Sequence, residues 1–589
     1  MQSEQGRSKR PPITIATESD IMSKHIIYQL FPRTFTNYCE TRKPNGSIEE
    51  NGCGKLNQIT EKALQEIKSL GATHVWYTGV IEHATQTDRS AMGIPADNPL
   101  IVKGKAGSPY AIKDYYDIDP DLAEDIPNRM QEFEALVERT HKAGMGVVLD
   151  FVPNHVARQY KSDQKPAGVK DFGEDDNPTW AFSPKNNFYY IPGQRFNVPN
   201  IKSDVPLDDS RRQALTYEEY PAKATGNDCF NASPTKDDWY ETVKLNYGVY
   251  YHGGMEKQFD PMPDTWLKMR DILLFWCKKG VDAFRCDMAH MVPVEFWGWV
   301  TKEVRKQYPN AEFIAEIYDP SLYRSYLYEG GFDYLYDKVG MYDYLRGVTS
   351  KDWEAQGITS QWQAVEDIRS RMLYFLENHD EQRIASGFFC GRGASAEPAM
   401  TVAACLGNNP ILIYAGQELG ERGMDKEGYS GIDGRTTIFD YWGVSSLQAW
   451  ANKGKFDGRH LSNEQKELRS WYKRLLNLTQ SEAALREGLM FDLMYVQDAE
   501  FNRKKHYVFM RKYKDETLLI AVNFDAREEK IKIVIPPAAF AYLELEEKAS
   551  VSMKDLLTGK EYSNIPLCTD KAIELNVGAW KGMILKVNS

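Results

Sequence analysis

Four carboxylates stand where apolar runs of the sequence end. They are Asp150 in VVLDFVPNH, Asp287 in DAFRCDMAH, Glu316 in FIAEIYD and Asp380 in LENHDEQR. One Asp or Glu after a strand commonly caps the next helix. Four that converge would repel one another unless one of them holds a proton or a cation lies nearby. Their shared position therefore favours a catalytic cluster over four separate caps.

Short strand-like runs alternate with helix-like segments from about residue 25, which predicts a parallel sheet with crossover helices. The segment 129–143 places apolar residues on one helical face and ends at Gly144, and GVVLDF follows at once. The same order recurs before VDAFRCD. The strand candidates, eight in all, are residues 25–31, 72–78, 146–151, 281–287, 311–316, 331–337, 371–380 and 410–418.

Eight strands with interleaved helices predict an α/β fold, a (β/α)8 TIM barrel with its catalytic groups at the carboxyl ends of the strands. We assign residues 23–156 and 261–490 to this barrel and residues 1–22 to a flexible tail. Residues 157–260, dense in Asn, Asp, Pro and Tyr, are too long for a loop and predict a subdomain inserted after strand 3. Residues 491–589 alternate in polarity, which predicts a C-terminal antiparallel β-sandwich domain.

Charge and composition exclude some partners. Lys+Arg 72 minus Asp+Glu 84 gives a net charge of -12, which argues against nucleic acid as a partner. No apolar run reaches the roughly 18 residues of a transmembrane helix, and residues 1–20 lack the apolar centre of a secretory signal. Cys39 and Cys53 lie in a Gly/Asn-rich loop, where a disulfide is one alternative to free thiols.

Six segments, taken in order, resemble the conserved segments of glycoside hydrolase family 13, the α-amylase family. GVVLDFVPNH is similar to the first segment, GVDAFRCDMAH to the second, FIAEIYD to the third and FLENHD to the fourth. VKLNYG resembles the segment of the inserted domain, and GNNPILIYAGQELG the segment on the last strand. The resemblance covers essentially the whole chain.

The resemblance implies a role for each matching carboxylate. Asp287 matches the nucleophile, Glu316 the general acid/base and Asp380 the stabiliser of the transition state. A retaining glycosidase uses two carboxyl groups roughly 5 to 5.5 Å apart. We expect Arg285, two residues before Asp287 and so on the same strand face, to keep that nucleophile charged. We expect the negative neighbours to raise the pKa of Glu316.

Further residues match the sugar-binding subsite of the family. His155 and His379 match histidines that hydrogen-bond the sugar, and Tyr110 resembles the tyrosine on which it stacks. Asp150 lies within the first segment and is grouped with these substrate-binding residues. His290 stands three residues after the nucleophile, a position that faces the leaving-group sugars in many amylases.

The resemblance also implies a metal. Asn154 matches a residue that ligates a structural calcium between the barrel and the inserted domain in many members, and Ca²⁺ favours oxygen ligands of this kind. No organic cofactor is expected.

The expected activity is retaining hydrolysis of α-1,4-glucosidic bonds in starch or maltooligosaccharides, with an α-glucan as the partner. One alternative is a 4-α-glucanotransferase or other transglycosylase with the same residues, and another is a non-catalytic glucan-binding member. FRCDMAHMVPVEFW and SPYAIKDYYDID are similar to neopullulanase-like amylases of bacterial starch-utilisation systems, which favours a periplasmic or extracellular location over a cytoplasmic one. Bond preference and oligomeric state stay open.

Overall fold

A computed structural model describes residues 24–202, 205 and 209–588. Eight parallel strands form one sheet in the spatial order β7-β6-β5-β4-β3-β2-β1-β8. Backbone pairing of Tyr374, just beyond β7, with Ile411 of β8 closes this sheet into a barrel. The predicted (β/α)8 barrel is confirmed. Its strands are β1 (Ile26–Leu30), β2 (His74–Tyr77), β3 (Gly146–Phe151), β4 (Ala283–Cys286), β5 (Glu312–Ala315), β6 (Tyr334–Tyr336), β7 (Met372–Leu373) and β8 (Ile411–Tyr414).

The strands form because their residues are apolar on both faces. Ile27, Trp76, Val148, Ala283 and Ile314 point inward and belong to a buried cluster inside the barrel. Their neighbours along each strand face the helices, as expected for a parallel sheet that is covered on its outer side. A filled interior of this kind leaves polar side chains only at the strand ends.

The helices pack around the strands. The segment predicted at 129–143 is the helix Arg129–Lys142; it buries Phe133, Leu136 and Val137, and it is followed by Gly144 at a φ of +73°. The longer helices are Glu61–Ser69, Arg129–Lys142, Asp264–Lys278, Val294–Gln307, Tyr323–Tyr328, Asp343–Ser350, Ile358–Ala364, Glu397–Cys405, Ser445–Ala451 and Asn463–Ser481.

Two chain segments extend from the barrel at the rim formed by the carboxyl ends of its strands. After β2 the strands Ile81–His83 and Ile112–Ile118 pair as an antiparallel hairpin, which the sequence did not predict. After β3 the inserted segment begins with the strand His155–Ala157, which pairs with Thr242–Lys244. Its other short strands are Tyr190–Ile191, Ala222–Lys223, Val249–Tyr250 and Glu256–Lys257.

The C-terminal region contains two antiparallel sheets, which fits the predicted β-sandwich. Its first strand is Leu489–Asp492. The six-stranded sheet has the order Leu489–Asp492, His506–Tyr513, Glu516–Asn523, Lys581–Asn588, Lys548–Asp555, Glu561–Leu567, and the second sheet pairs Glu529–Ile533 with Ile573–Val577.

The remaining predictions about the chain have different outcomes. The predicted tail, residues 1–22, lies outside the described residues. Among the helices that the structure describes, none has the length and apolar composition that a bilayer span requires. Of the two alternatives for Cys39 and Cys53, the structure has free thiols, and the Sγ of Cys39 donates to the carbonyl oxygen of Glu50 at 3.5 Å.

A buried arginine joins the C-terminal region to the barrel. Arg511, in the strand His506–Tyr513, is fully buried. Its Nη1 donates to the carbonyl oxygen of Cys405 at 2.8 Å, at the end of a barrel helix, and its Nη2 donates to that of Gly488 at 2.9 Å. These carbonyls lose a donor if the guanidinium is removed, and an unpaired buried polar group is costly.

We predict that Arg511→Met lowers the free energy of unfolding by about 2–4 kcal/mol, because buried carbonyl oxygens lose their donors. Differential scanning calorimetry should record the loss as a lower Tm. Arg527→Met is the matched control in the same region, since the Arg527 side chain is 76% exposed. Equal Tm values for the two variants would contradict the role assigned to Arg511.

Candidate active site

The strand ends carry the carboxylates to one rim of the barrel. Asp287 and Glu316 directly follow β4 and β5, and their backbone amides continue the ladder by donating to Phe151 and Cys286 at 2.9 and 3.1 Å. Asp150 lies in β3, opposite Arg285 in the register. Asp380 lies beyond β7. The structure therefore brings the four predicted carboxylates together.

Arg285 lies at the centre of this cluster and is 1% exposed. Its Nη1 is 2.8 Å from the Oδ1 of Asp287 and 3.3 Å from the Oδ1 of Asp150. Its Nη2 is 2.8 Å from the Oε2 of Glu316 and 4.0 Å from the Oδ2 of Asp380. One guanidinium thus forms ion pairs with four carboxylates, which would otherwise repel one another in a buried site.

The protonation of Asp287 differs from the sequence-based expectation. Burial and the negative charge of Glu316 raise the pKa of Asp287 well above its usual value, although Arg285 acts in the opposite direction. The sequence had placed the raised pKa on Glu316. The negative charge of Glu316 therefore disfavours the ionised form of Asp287.

Glu316 is held by two donors. The backbone amide of Met288 donates to its Oε2 at 2.8 Å, and the hydroxyl of Tyr318 donates to its Oε1. Met288 has a φ of +43°, a conformation that is unfavourable for a residue with a side chain. Strain of this kind is found at sites where the surroundings fix the backbone. Here it directs the Met288 amide at the carboxyl of Glu316.

Asp380 has a different environment. Its Oδ2 lies 3.0 Å from the Nε2 of His379, and its side chain is 41% exposed. Burial alone would raise the pKa of Asp380, but the charge and hydrogen bond of His379 and the charge of Arg285 lower it to about 2. The Nδ1 of His379 contacts the side-chain amide of Gln29 at 2.8 Å. Asp380 is therefore ionised over the whole neutral range.

Tyr110 connects Asp150 with His379. Its ring stacks on the ring of His379 with centroids 5.2 Å apart, and its hydroxyl donates to the Oδ1 of Asp150 at 3.2 Å. The indole of Trp76 donates to the other oxygen of Asp150 at 2.8 Å. Asp150 is 6% exposed and does not line the cleft. It positions Tyr110 and Arg285 rather than facing a ligand.

The two remaining predicted histidines differ in position. His155 lines the cleft, its ring lies 5.2 Å from that of Trp239, and burial together with the charge of Lys244 lowers its pKa to about 3. His155 is therefore neutral near pH 7. His290 is not among the residues that line the cleft; its ring faces Tyr318 at 6.2 Å.

The cleft has a volume of about 290 Å³, and its floor contains Asp287, Glu316 and Asp380. The sequence analysis did not identify several residues that line the cleft. Tyr318 could have been identified, since it stands two residues after Glu316. Lys103 and Glu241, which pair at 2.9 Å, could not, because they come from a loop and from the inserted segment. The missed lining residues are Lys103, Ser108, Trp239, Glu241, Thr242, Met288, Tyr318, Ile438 and Phe439.

The surroundings of Asn154 do not fit the calcium ion that the sequence predicted. The Nζ of Lys244 donates to the Oδ1 of Asn154, and it lies 2.7 Å from the Oδ1 of Asp228 and 3.2 Å from the carbonyl oxygen of Met291. The Lys244 side chain is 2% exposed. Its ammonium occupies the point on which these oxygens converge, so it would repel a second cation there.

Residues 29–488 match the family Alpha-amylase, described as the alpha amylase catalytic domain, and this match covers more than half of the chain. The chain belongs to the α-amylase family. The family that the six segments indicated is therefore confirmed.

Relatives in this family are named for different activities. The chain is 26% identical over 483 residues to the alpha-1,4-glucan:maltose-1-phosphate maltosyltransferase of Cereibacter sphaeroides. This match covers 77% of the chain and 64% of the relative, so the chain spans just under two thirds of the relative's length. The chain is 21% identical over 591 residues to neopullulanase 2 of Thermoactinomyces vulgaris, covering 97% of the chain and 79% of the relative. Among solved structures, the noncanonic maltogenic alpha-amylase AmyB from Thermotoga neapolitana has a similar fold, with a TM-score of 0.62, 18% identity, and 96% and 99% of the two chains covered.

We predict that Lys244→Met destabilises this α-amylase-family protein, because Asn154 and Asp228 would face each other without the ammonium. The buried Oδ1 of Asn154 loses its donor, which costs about 1–3 kcal/mol, and thermal denaturation would measure this loss as a lower Tm. Lys257→Met is the control in the same inserted segment; Lys257 pairs with Glu295 at the surface, where ion pairs contribute little. If both variants had the Tm of the wild type, Lys244 would not have the structural role assigned to it.

Proposed function

We propose that this protein is a retaining α-glucan hydrolase that cleaves α-1,4-glucosidic bonds of starch or maltooligosaccharides. One observation carries the proposal. Asp287, Glu316 and Asp380 meet on the floor of one cleft, around a single buried guanidinium. Family membership supports it, because a maltogenic amylase and a neopullulanase are among the relatives.

In the proposed reaction Asp287 attacks the anomeric carbon while Glu316 protonates the oxygen of the leaving sugar. A covalent glycosyl-enzyme results. Glu316, now ionised, then removes a proton from water, the water oxygen bonds to the anomeric carbon, and Asp287 is released. Asp380, ionised and partly exposed, stabilises the positive charge that develops on the sugar ring.

The scheme requires Asp287 to be ionised while Glu316 holds a proton. Burial and the negative charge of Glu316 raise the pKa of Asp287, and the charge of Arg285 acts against that rise. Arg285 contacts both carboxyls at 2.8 Å and stabilises the ionised form of either one.

The walls of the cleft suit a sugar. The ring of Tyr110 and the indole of Trp239 offer flat apolar surfaces, and His155 offers a neutral imidazole edge that can hydrogen-bond a hydroxyl. A glucan carries no charge. The net charge of -12 therefore opposes no step of its binding.

Transglycosylation is the second candidate, and a relative favours it. The maltosyltransferase from Cereibacter sphaeroides carries a transferase name. A sugar hydroxyl would then replace water in the second step, with the same carboxylates in the same roles. Incubation with maltotriose distinguishes the two: the hydrolase releases only shorter sugars, whereas the transferase also forms longer ones.

A non-catalytic glucan-binding protein is the remaining alternative. Loss of a catalytic carboxylate or of the arginine would indicate it. In this chain Asp287, Glu316, Asp380 and Arg285 are all present and in mutual contact through the guanidinium.

We predict that Asp287→Asn lowers the release of reducing sugar from starch by at least about a thousandfold, because the nucleophile is lost. Asp282→Asn is the matched control. Asp282 precedes the opposite end of the same strand β4, and its side chain is 44% exposed at the far side of the barrel. The control should keep its activity. Equal sugar release from the two variants would contradict the enzymatic proposal.

We also predict a pH effect of Glu316→Gln. The negative charge of Glu316 raises the pKa of Asp287, so its removal should lower that pKa and allow Asp287 to ionise at lower pH. With α-maltosyl fluoride, whose leaving group needs no acid, the acidic limb of fluoride release should move down by about one pH unit or more.

Glu316→Asp keeps the charge and is the control for this shift; its acidic limb should stay near that of the wild type. An acidic limb at the same pH in all three proteins would show that Glu316 does not set the ionisation of Asp287.

A further inference from the structure

A second group of carboxylates lies away from the cleft, beside the hairpin that follows β2. It consists of Glu82, Asp114, Asp117 and Asp163, and we call it the hairpin carboxylate cluster. One oxygen from each of the four side chains lies within 4.8 Å of the others. Glu82, Asp114 and Asp117 are buried, and Asp163 is exposed at the rim.

The fold itself brings these residues together. Glu82 lies opposite Asp114 in the hairpin register, and Asp117 is three residues further along the same strand. Asp163 belongs to the inserted segment. It is held there because the backbone amides of Asp163 and Gln164 donate to the Oδ2 of Asp114 at 2.9 and 3.1 Å.

The hydrogen bonds of the cluster leave one buried carboxylate oxygen without a donor. The Oδ1 of Asp114 accepts from the amide of Tyr116 at 2.8 Å, and the Oδ2 of Asp117 accepts from the Nε of Arg129 at 2.7 Å. The Oε2 of Glu82 is buried and receives no hydrogen bond from any residue that the structure describes. Glu82 is only 3% exposed. An unpaired carboxylate oxygen in such a place is unfavourable.

The charges near the cluster do not balance. Four ionised carboxylates carry four negative charges, against which Arg129 supplies one positive charge, paired with Asp117 and 3.9 Å from the Oδ2 of Asp163. Lys113 is the other nearby cation, but its Nζ pairs with Asp97 at 3.1 Å. A buried group of this kind needs either protons or a cation.

We propose that the hairpin carboxylate cluster binds one Ca²⁺ ion. Its ligands are carboxylate oxygens alone, which hard divalent cations prefer. Ca²⁺ accepts about six to eight oxygen ligands in flexible geometries, whereas Mg²⁺ demands a near-ideal octahedron and gives up its water ligands reluctantly. Four carboxylates held by separate segments therefore suit Ca²⁺ better than Mg²⁺. The cluster shares no residue with Asn154 and its neighbours.

The ion would join two parts of the structure that shape the cleft. The strand Ile112–Ile118 begins two residues after Tyr110, which stacks on His379 in the active site. Asp163 lies in the inserted segment, which also supplies Trp239 to the cleft. A cation held by both parts therefore stabilises the wall of the cleft from outside, without contacting the substrate.

The test uses the full chain after its bound cations have been removed with a chelating resin. Ca²⁺ or Mg²⁺ is added to about 5 mM, above the roughly millimolar dissociation constants of weak protein calcium sites. Tm is measured by calorimetry, and stoichiometry by isothermal titration. Four proteins are compared: wild type, Glu82→Gln, Asp163→Asn and the control Asp337→Asn. Asp337 is also a buried carboxylate with an unpaired oxygen, but it does not belong to the cluster.

The wild type and Asp337→Asn should each bind one Ca²⁺ and gain roughly 1 °C or more in Tm. Glu82→Gln should lose this gain, and its Tm without cation should not fall below that of the wild type, since a neutral amide relieves the repulsion. Asp163→Asn, whose exposed side chain is not needed for folding, should bind Ca²⁺ at least about tenfold more weakly. The proposal is overturned if Ca²⁺ changes nothing in the wild type, if Glu82→Gln and Asp163→Asn bind it as the wild type does, or if Mg²⁺ gives an equal gain.

Discussion

The ion pairs of one buried guanidinium hold the active site together. Arg285 contacts Asp287 and Glu316 at 2.8 Å, Asp150 at 3.3 Å and Asp380 at 4.0 Å. Without this charge, four carboxylates at one rim of the barrel would have to take up protons or move apart. With it, they stay close enough to act on the same bond. A buried charge is tolerated only when it is paired, and here one cation is paired several times over.

The barrel places this guanidinium and encloses it. Arg285 stands two residues before Asp287, so both side chains leave the strand on the same face. The rings of Trp76, Tyr110 and Tyr336 lie 5.3 to 5.6 Å from its central carbon. These rings exclude water and favour the cation over their faces. The same packing buries Asp287, and this burial raises the pKa of its carboxyl. The residues that order the site therefore also influence its protonation.

The sequence predicted most of the frame because the frame depends on local patterns. GVVLDF became the strand Gly146–Phe151 with the same bounds, and all eight strand candidates contain a strand of the barrel. The carboxylates could be placed because strand ends share one rim. The hairpin after β2 was missed, since its second strand IKDYYDI is buried throughout although it carries polar residues.

What the sequence could not predict depends on contacts between distant segments. Lys244 fills the place expected for calcium, and it approaches Asn154 across 90 residues of chain. Burial and the charge of Glu316 raise the pKa of Asp287, an effect that depends on how the folded site arranges these carboxyls. Neither outcome follows from the residue types alone.

Direct detection of the covalent intermediate tests the central claim, that Arg285 holds Asp287 as a nucleophile facing the acid Glu316. Glu316→Gln, which can form a glycosyl-enzyme from α-maltosyl fluoride but lacks the base to hydrolyse it, would be quenched within the first turnover and mapped by peptide mass spectrometry. The account predicts one maltosyl adduct on the peptide that contains Asp287, located on its carboxyl. An adduct on another residue, or fluoride release without any adduct, would contradict it.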